Sequence, residues 1–284
     1  MQTENYGRNQ RGGRQGGCGI RVLMALAVAG IALFSYCSNA QINPVTGEKQ
    51  HVAGVRPEQE IALGLQAAPS MVQEYGGLSR DQQAAGRVEW IGNQVVSNSD
   101  AQRGPYEYRF HLLADRETIN AFALPGGQVF ITEALYRKIS TDGQLAGVLG
   151  HEIGHVVARH GAEHMAKAQL TQGLTGAAVL ATYDPDRPGS ASSAAIAQMV
   201  GGLLNLKYGR DDELESDRLG VRFMTQAGYD PRSMVGVMEI LKKAGGGSQP
   251  EFFSTHPNPE NRIGKIEQAI KDEFPNGLPD DLKR

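Results

Sequence analysis

Hydrophobic and polar positions alternate in three distinguishable ways along the chain. An uninterrupted apolar run, Val22 to Phe34, follows a Gly/Arg/Gln-rich start and leads into Ser-Tyr-Cys-Ser-Asn-Ala. That succession of basic, apolar and small-residue segments is the pattern of a secretory signal. The run is shorter than the ~20 residues a bilayer span needs. Cleavage after Ala40, with Ser38 three positions upstream, would release a soluble protein; Cys37 offers lipoprotein attachment instead, against the bulk of Tyr36, and an uncleaved anchor is a third reading. Residues 57–98 show helical spacing, with Ile61, Leu63 and Leu65 in one stretch and Val88, Ile91 and Val95 in the next, predicting two helices. Tyr106, Tyr108, Phe110 and Leu112 alternate with polar residues as a half-buried strand does, and a second strand is expected at Val129–Thr132, after the turn Pro125-Gly126-Gly127. Helical spacing resumes from Glu133 to His164. Gly/Ala-rich helices are expected over 165–206, broken into a hairpin by Asp184–Gly189, with pieces at 173–181 and 194–204 too short to span a membrane. Helices at 207–226, 231–243 and 259–274 complete the chain, with Gly245–Gly247 as a joint. The pattern predicts one α+β domain over 41–284, mainly helical, after a leader at 1–40.

Composition narrows the chemistry. The chain of 284 residues has 28 basic and 31 acidic side chains, a net charge of −3, and so no basic field for nucleic acid. Both cysteines, Cys18 and Cys37, lie in the leader, so a metal in the body must be held by His, Asp or Glu.

Such residues occur together at Gly150-His151-Glu152-Ile153-Gly154-His155, a His-Glu-x-x-His pattern on an expected helix. Residues four apart lie ~40° apart around a helix, so both imidazoles can share one zinc, with Glu152 beside it as a general base. On a continuous helix His160 and His164 lie ~180° and ~220° round from His151 and point away. A metzincin would need His at position 161, where this chain has Gly161. The remaining donors are in Asp211-Asp212-Glu213-Leu214-Glu215-Ser216-Asp217, where Glu213 and Asp217 share a face opposite Asp211 and Glu215. One of that pair can ligate while the other steadies a ligand imidazole.

These motifs, with Asn120-Ala-Phe-Ala-Leu-Pro-Gly-Gly-Gln-Val-Phe-Ile131 upstream, resemble metallopeptidase family forty-eight, gluzincins that include the heat-shock protease HtpX, the type I CAAX prenyl protease and the periplasmic BepA. The resemblance covers roughly residues 42–272. It implies a zincin-like domain with a small antiparallel sheet beside the active helix, one zinc held by His151, His155 and Glu213, Glu152 as base, and Asp217 supporting a ligand. It also implies that His256, in Ser254-Thr-His-Pro-Asn-Pro, can take the zinc's open position and silence the enzyme. The chain lacks the multiple spans and the repeats of those relatives, which suggests an exported, stand-alone branch.

Val129, Phe130 and Ile131, read as an edge strand, would receive an extended peptide by strand addition. The expected function is a zinc endopeptidase acting on unfolded or misassembled envelope proteins, periplasmic and either soluble or lipid-anchored. The alternatives are a peptide-binding chaperone with little turnover and a purely structural zinc.

Overall fold

A computed structural model describes residues 16–52, 55–182, 208–244, 250–257 and 261–284. The expected breaks at 184–189 and 245–247, and the helical piece at 194–204, lie outside the described residues.

After α1 (Gly16–Ser38), β1 (Ala40–Ile42) pairs with β2 (Lys49–His51), and α2 (Pro57–Glu74) and α3 (Gln82–Ser97) follow. Helix α3 starts where Asp81 accepts a hydrogen bond from the Ala84 amide, and its stripe Val88, Ile91 and Val95 is fully buried, as the spacing predicts. In α2 the buried positions are Glu60, Gly64 and Met71, whereas Leu65 faces solvent. The reason is steric: Gly64 lies against the Pro125 backbone, where a Cβ has no room.

The sheet has strand order β3 (Arg109–Leu113), β5 (Gln128–Thr132), β4 (Ala121–Leu124). Strand β4 runs antiparallel to β5, whereas β3 runs parallel to it, so the sheet is mixed, not antiparallel. This overturns the edge-strand reading of Val129, Phe130 and Ile131. Strand β5 is central, its backbone is paired on both sides, and all five of its residues are buried. The outer strands are β3 and β4, and β4, which the polar/apolar alternation did not mark, is the one beside a cavity.

One face of the sheet, carrying Phe122, Leu124 and Phe130, packs under α2. The other, carrying Ala123, Val129 and Ile131, joins the main core with Leu145, Leu149 and Ile153 of α5 (Asp142–Val157). The expected continuous helix 133–164 is three pieces. A short α4 (Glu133–Tyr136) precedes α5, which Thr141 caps by accepting from the Gln144 amide. Helix α6 (His160–Thr182) begins after Arg159, whose φ of 56° interrupts the helix. The chain ends with α7 (Arg210–Gln226), α8 (Ser233–Ala244), α9 (Phe252–Thr255) and α10 (Arg262–Glu273).

Glycine sets the approach of α5 to α7. A Cβ on Gly154 would lie 3.0 Å from the Ser216 carbonyl oxygen, and one on Gly220 would lie 3.1 Å from the His151 nitrogen. The backbones therefore nearly touch along the stretch that carries the motif residues.

Helix α1 is longer than its apolar run suggested. Gly19–Ser38 reaches a mean hydropathy of 2.0 over 20 residues and is the one helix among the described residues long and apolar enough to cross a membrane. Ala32 meets Gly173 of α6, and Tyr36 stacks on His51 at 4.8 Å, while Ile20, Leu23, Leu26 and Phe34 stay exposed.

Candidate metal centre

The close α5–α7 contact brings His151 and His155 opposite Glu213. The two imidazole Nε2 atoms are 3.1 Å apart, and Glu213 Oε1 and Oε2 lie 3.3 Å from His155 Nε2 and 3.5 Å from His151 Nε2. His256, which follows α9, completes the group with its Nδ1 3.0 Å from Glu213 Oε1 and 3.4 Å from His151 Nε2. One donor atom from each of these four residues falls within 4.8 Å of the others, and all four residues are buried.

The residues fit a divalent cation on two counts. Donor atoms of four buried residues, His151, His155, Glu213 and His256, crowd together within 4.8 Å, lone pairs that one dication would bridge. Both oxygens of Glu152 and the Nε2 of His256 are buried without a hydrogen-bond partner, His256 Nε2 stopping 3.6 Å from Glu152 Oε1. The donor set of imidazole and carboxylate suits zinc.

Asp217 sits one turn beyond Glu213 on α7 and accepts from His151 Nδ1 at 2.9 Å, which turns the other nitrogen of that ring inward. Arg262 holds Asp217 by two bonds of 2.8 Å and reaches Glu213 Oε2 at 2.9 Å. Arg262 thus bridges the two acidic residues that share one face of α7.

These contacts shift proton affinities in opposite directions. Burial opposes a charged His151, but bonds to Asp217 and Glu213 prevail and raise its pKa to about 9. Burial dominates at His155, whose pKa falls well below the ordinary imidazole value. Burial also pushes the Glu152 carboxyl up, against the pull of His256 and His151. Burial would raise Glu213 and Asp217 as well, yet both are held low, Glu213 chiefly by His256 and Asp217 chiefly by Arg262.

His160 and His164 stay out of the ligand cluster, as expected, but a break in the helix and not a continuous turn sets their places. The turn at Arg159 restarts the helix, so His160 comes back beneath His155 at 2.9 Å, and His164 bonds Asp212 at 2.8 Å. Neither joins the ligand cluster. Arg159 is held in its left-handed conformation by Glu60, to which its Nε donates at 2.8 Å, and Glu60 also accepts from Tyr106 at 3.0 Å. Tyr208 has no motif signal, yet its ring stacks on His155 at 3.9 Å.

A cavity of about 360 Å³ opens beside the cluster, walled by Leu63 and Met71 of α2, Phe122 and Leu124 of β4, and Met165, and it ends at His256. At that end the Tyr75 hydroxyl donates to Glu251 at 2.9 Å and accepts from Asn120 at 3.1 Å, tying α9 to the foot of β4.

Buried nitrogen and oxygen donors around one point, beside a glutamate with both oxygens unengaged, are the working parts of a metallopeptidase. The chain belongs to one such family: the Peptidase family M48 model matches residues 82–270, a span that contains every residue of the cluster. It is similar to the beta-barrel assembly-enhancing protease of Yersinia pestis, 30% identical over 213 residues that cover 72% of this chain and 43% of that protein. The protein of that name from Escherichia coli K12 is 33% identical over 183 residues, 62% of this chain and 37% of the relative. The mitochondrial metalloendopeptidase OMA1 of Saccharomyces cerevisiae is 32% identical over 266 residues, covering 88% and 74%. The chain thus spans less than half the length of these two bacterial relatives.

Proposed function

We propose that the protein is a zinc-dependent endopeptidase whose ion is held by His151, His155 and Glu213. The observation that carries this reading is the convergence of those three side chains on one buried point beside the unengaged Glu152 carboxylate. When bound, zinc supplies Lewis-acid polarisation of a peptide carbonyl and of a water molecule. Glu152 takes the proton from the attacking water and returns it to the leaving amine, a role suited by a pKa raised through burial. Asp217 and Arg262 keep the His151 ring oriented.

The substrate is an extended polypeptide. Among the described residues strand β4 is paired on one side only, and it lies along the cavity, so a chain can add there through main-chain hydrogen bonds with little demand on its side chains. The relatives named as proteases support turnover over binding alone. Two relatives carry β-barrel assembly in their names; with the apolar N-terminal helix, this supports export and action on envelope proteins. The packing of α1 on α6 favours its retention as an anchor over removal after Ala40.

The test is to purify the full chain in mild detergent, count zinc, and follow cleavage of an unfolded protein with and without chelator. Glu152→Gln should keep the zinc and lower kcat by about 10²–10⁴-fold. A Glu152→Gln protein that cleaves at the parental rate would end this assignment. His256 fills the position substrate needs, so His256→Ala should raise cleavage while zinc content holds; unchanged turnover would remove the self-inhibitory role.

A further inference from the structure

At Arg159 one helix ends, and His160 begins the next. Because α6 restarts at His160, its imidazole lies beneath His155 with the two Nδ1 atoms 2.9 Å apart. On its far side, His160 Nε2 meets Glu215 Oε2 at 3.2 Å. His160 is almost wholly buried, and it connects an inward-facing ligand to a carboxylate that is 20% exposed on α7.

Proton bookkeeping allows one useful arrangement. His155 turns Nε2 toward Glu213, so a ligating His155 carries its proton on Nδ1. That N–H donates to the bare Nδ1 of His160, which places the His160 proton on Nε2, where Glu215 accepts it. The reverse order would put a proton on His155 Nε2, inside the cluster, and block ligation. A carboxylate only accepts, so Glu215 selects the productive order two rings away. The Ser216 hydroxyl, 3.4 Å from His160 Nδ1, can donate to the same lone pair and so favours the same order.

We propose that His160, oriented by Glu215, is the positioning residue that fixes the tautomer and ring orientation of His155 for metal binding. The inference rests on the metal-site reading above. It makes the two ligand histidines unlike: His151 is backed directly by a carboxylate that Arg262 neutralises, whereas His155 is backed by a second imidazole with the carboxylate one step further out.

The experiment measures the zinc dissociation constant of the full chain by chelator competition, for the parent, His160→Phe, His160→Asn and Glu215→Leu. His160→Phe should bind zinc about 10–100-fold more weakly. His160→Asn should recover most of that loss, because its Oδ1 can stand where the ring's Nδ1 stood. Long-range proton–nitrogen spectra of the zinc-loaded parent should show His155 protonated at Nδ1, and that proton signal should move in Glu215→Leu. Equal zinc affinity in His160→Phe, equal losses in His160→Phe and His160→Asn, or a His155 proton on Nε2 would each overturn the proposal. If His160→Phe does not fold, Glu215→Leu decides, since its site is partly exposed: parental affinity together with an unmoved proton signal overturns the relay. A parent that binds no zinc would instead sink the proposed function, whereas a zinc-binding parent indifferent to these changes sinks the relay alone.

Discussion

Arg262 shows how much a single side chain decides in this site. Its guanidinium lies against Asp217 and Glu213, and all three are almost completely buried. Removing one member of a buried charge group leaves the others uncompensated, at about 3–5 kcal/mol. Arg262→Ala is therefore expected to destabilise the metal-free protein by that order, read as a lower urea midpoint. The zinc-loaded protein should lose less, because the dication supplies part of the missing positive charge. Arg159 follows a related logic: a glycine would adopt its positive φ without strain, but the arginine there also bonds Glu60 and the Val55 carbonyl. That is why a long charged residue occupies a position where a glycine signal would have disclosed the helix break.

Between elements, the decisive quantity is the separation of α5 and α7. His151 and His155 ride on one helix, Glu213 and Asp217 on the other, and Gly154 and Gly220 let the backbones meet. Gly154→Ala would press a methyl to 3.0 Å from the Ser216 carbonyl oxygen and 3.1 Å from its Cα. Overpacking of this kind costs ~1–3 kcal/mol. The expected result is a lower thermal midpoint together with weaker zinc binding, since any separation of the helices pulls the donors apart. Gly86→Ala on α3 is the control: it points into open space, and gains ~0.5–1 kcal/mol from helix propensity. Equal effects of the two substitutions would show that the α5–α7 spacing is not the constraint.

Over the whole molecule, the metal cluster lies beside a continuous hydrophobic core. Leu145, Leu149 and Ile153 of α5 pack with α3, the sheet and α7, away from the ligand face. Chelation should therefore leave a folded protein with a lower thermal midpoint. A ligand present at 1,000 times its Kd stabilises by ~4 kcal/mol, and calorimetry with chelator, then with zinc restored, measures the difference. Complete unfolding on chelation would mean that the ion is a structural staple. The N-terminal helix belongs at this scale too, since its membrane-length apolar surface lies on the same body that carries the cleft.

The local signals that the sequence carries by itself are those written in short periods. The 3.6-residue spacing of α3, the His-Glu-x-x-His turn of α5 and the Glu213/Asp217 face of α7 all depend on residues a few positions apart, and all appear in the structure as read. Where the argument needed partners distant in sequence, only the tertiary structure decided. Pairing on both sides made β5 central and left β3 and β4 as the outer strands, because strand order depends on which backbones meet and not on the alternation within each. Arg262 found Asp217, and His256 found Glu213, across 45 and 43 residues of chain. His160 lies behind His155 because one residue with positive φ, held by an ion pair 99 positions away, ends the helical periodicity.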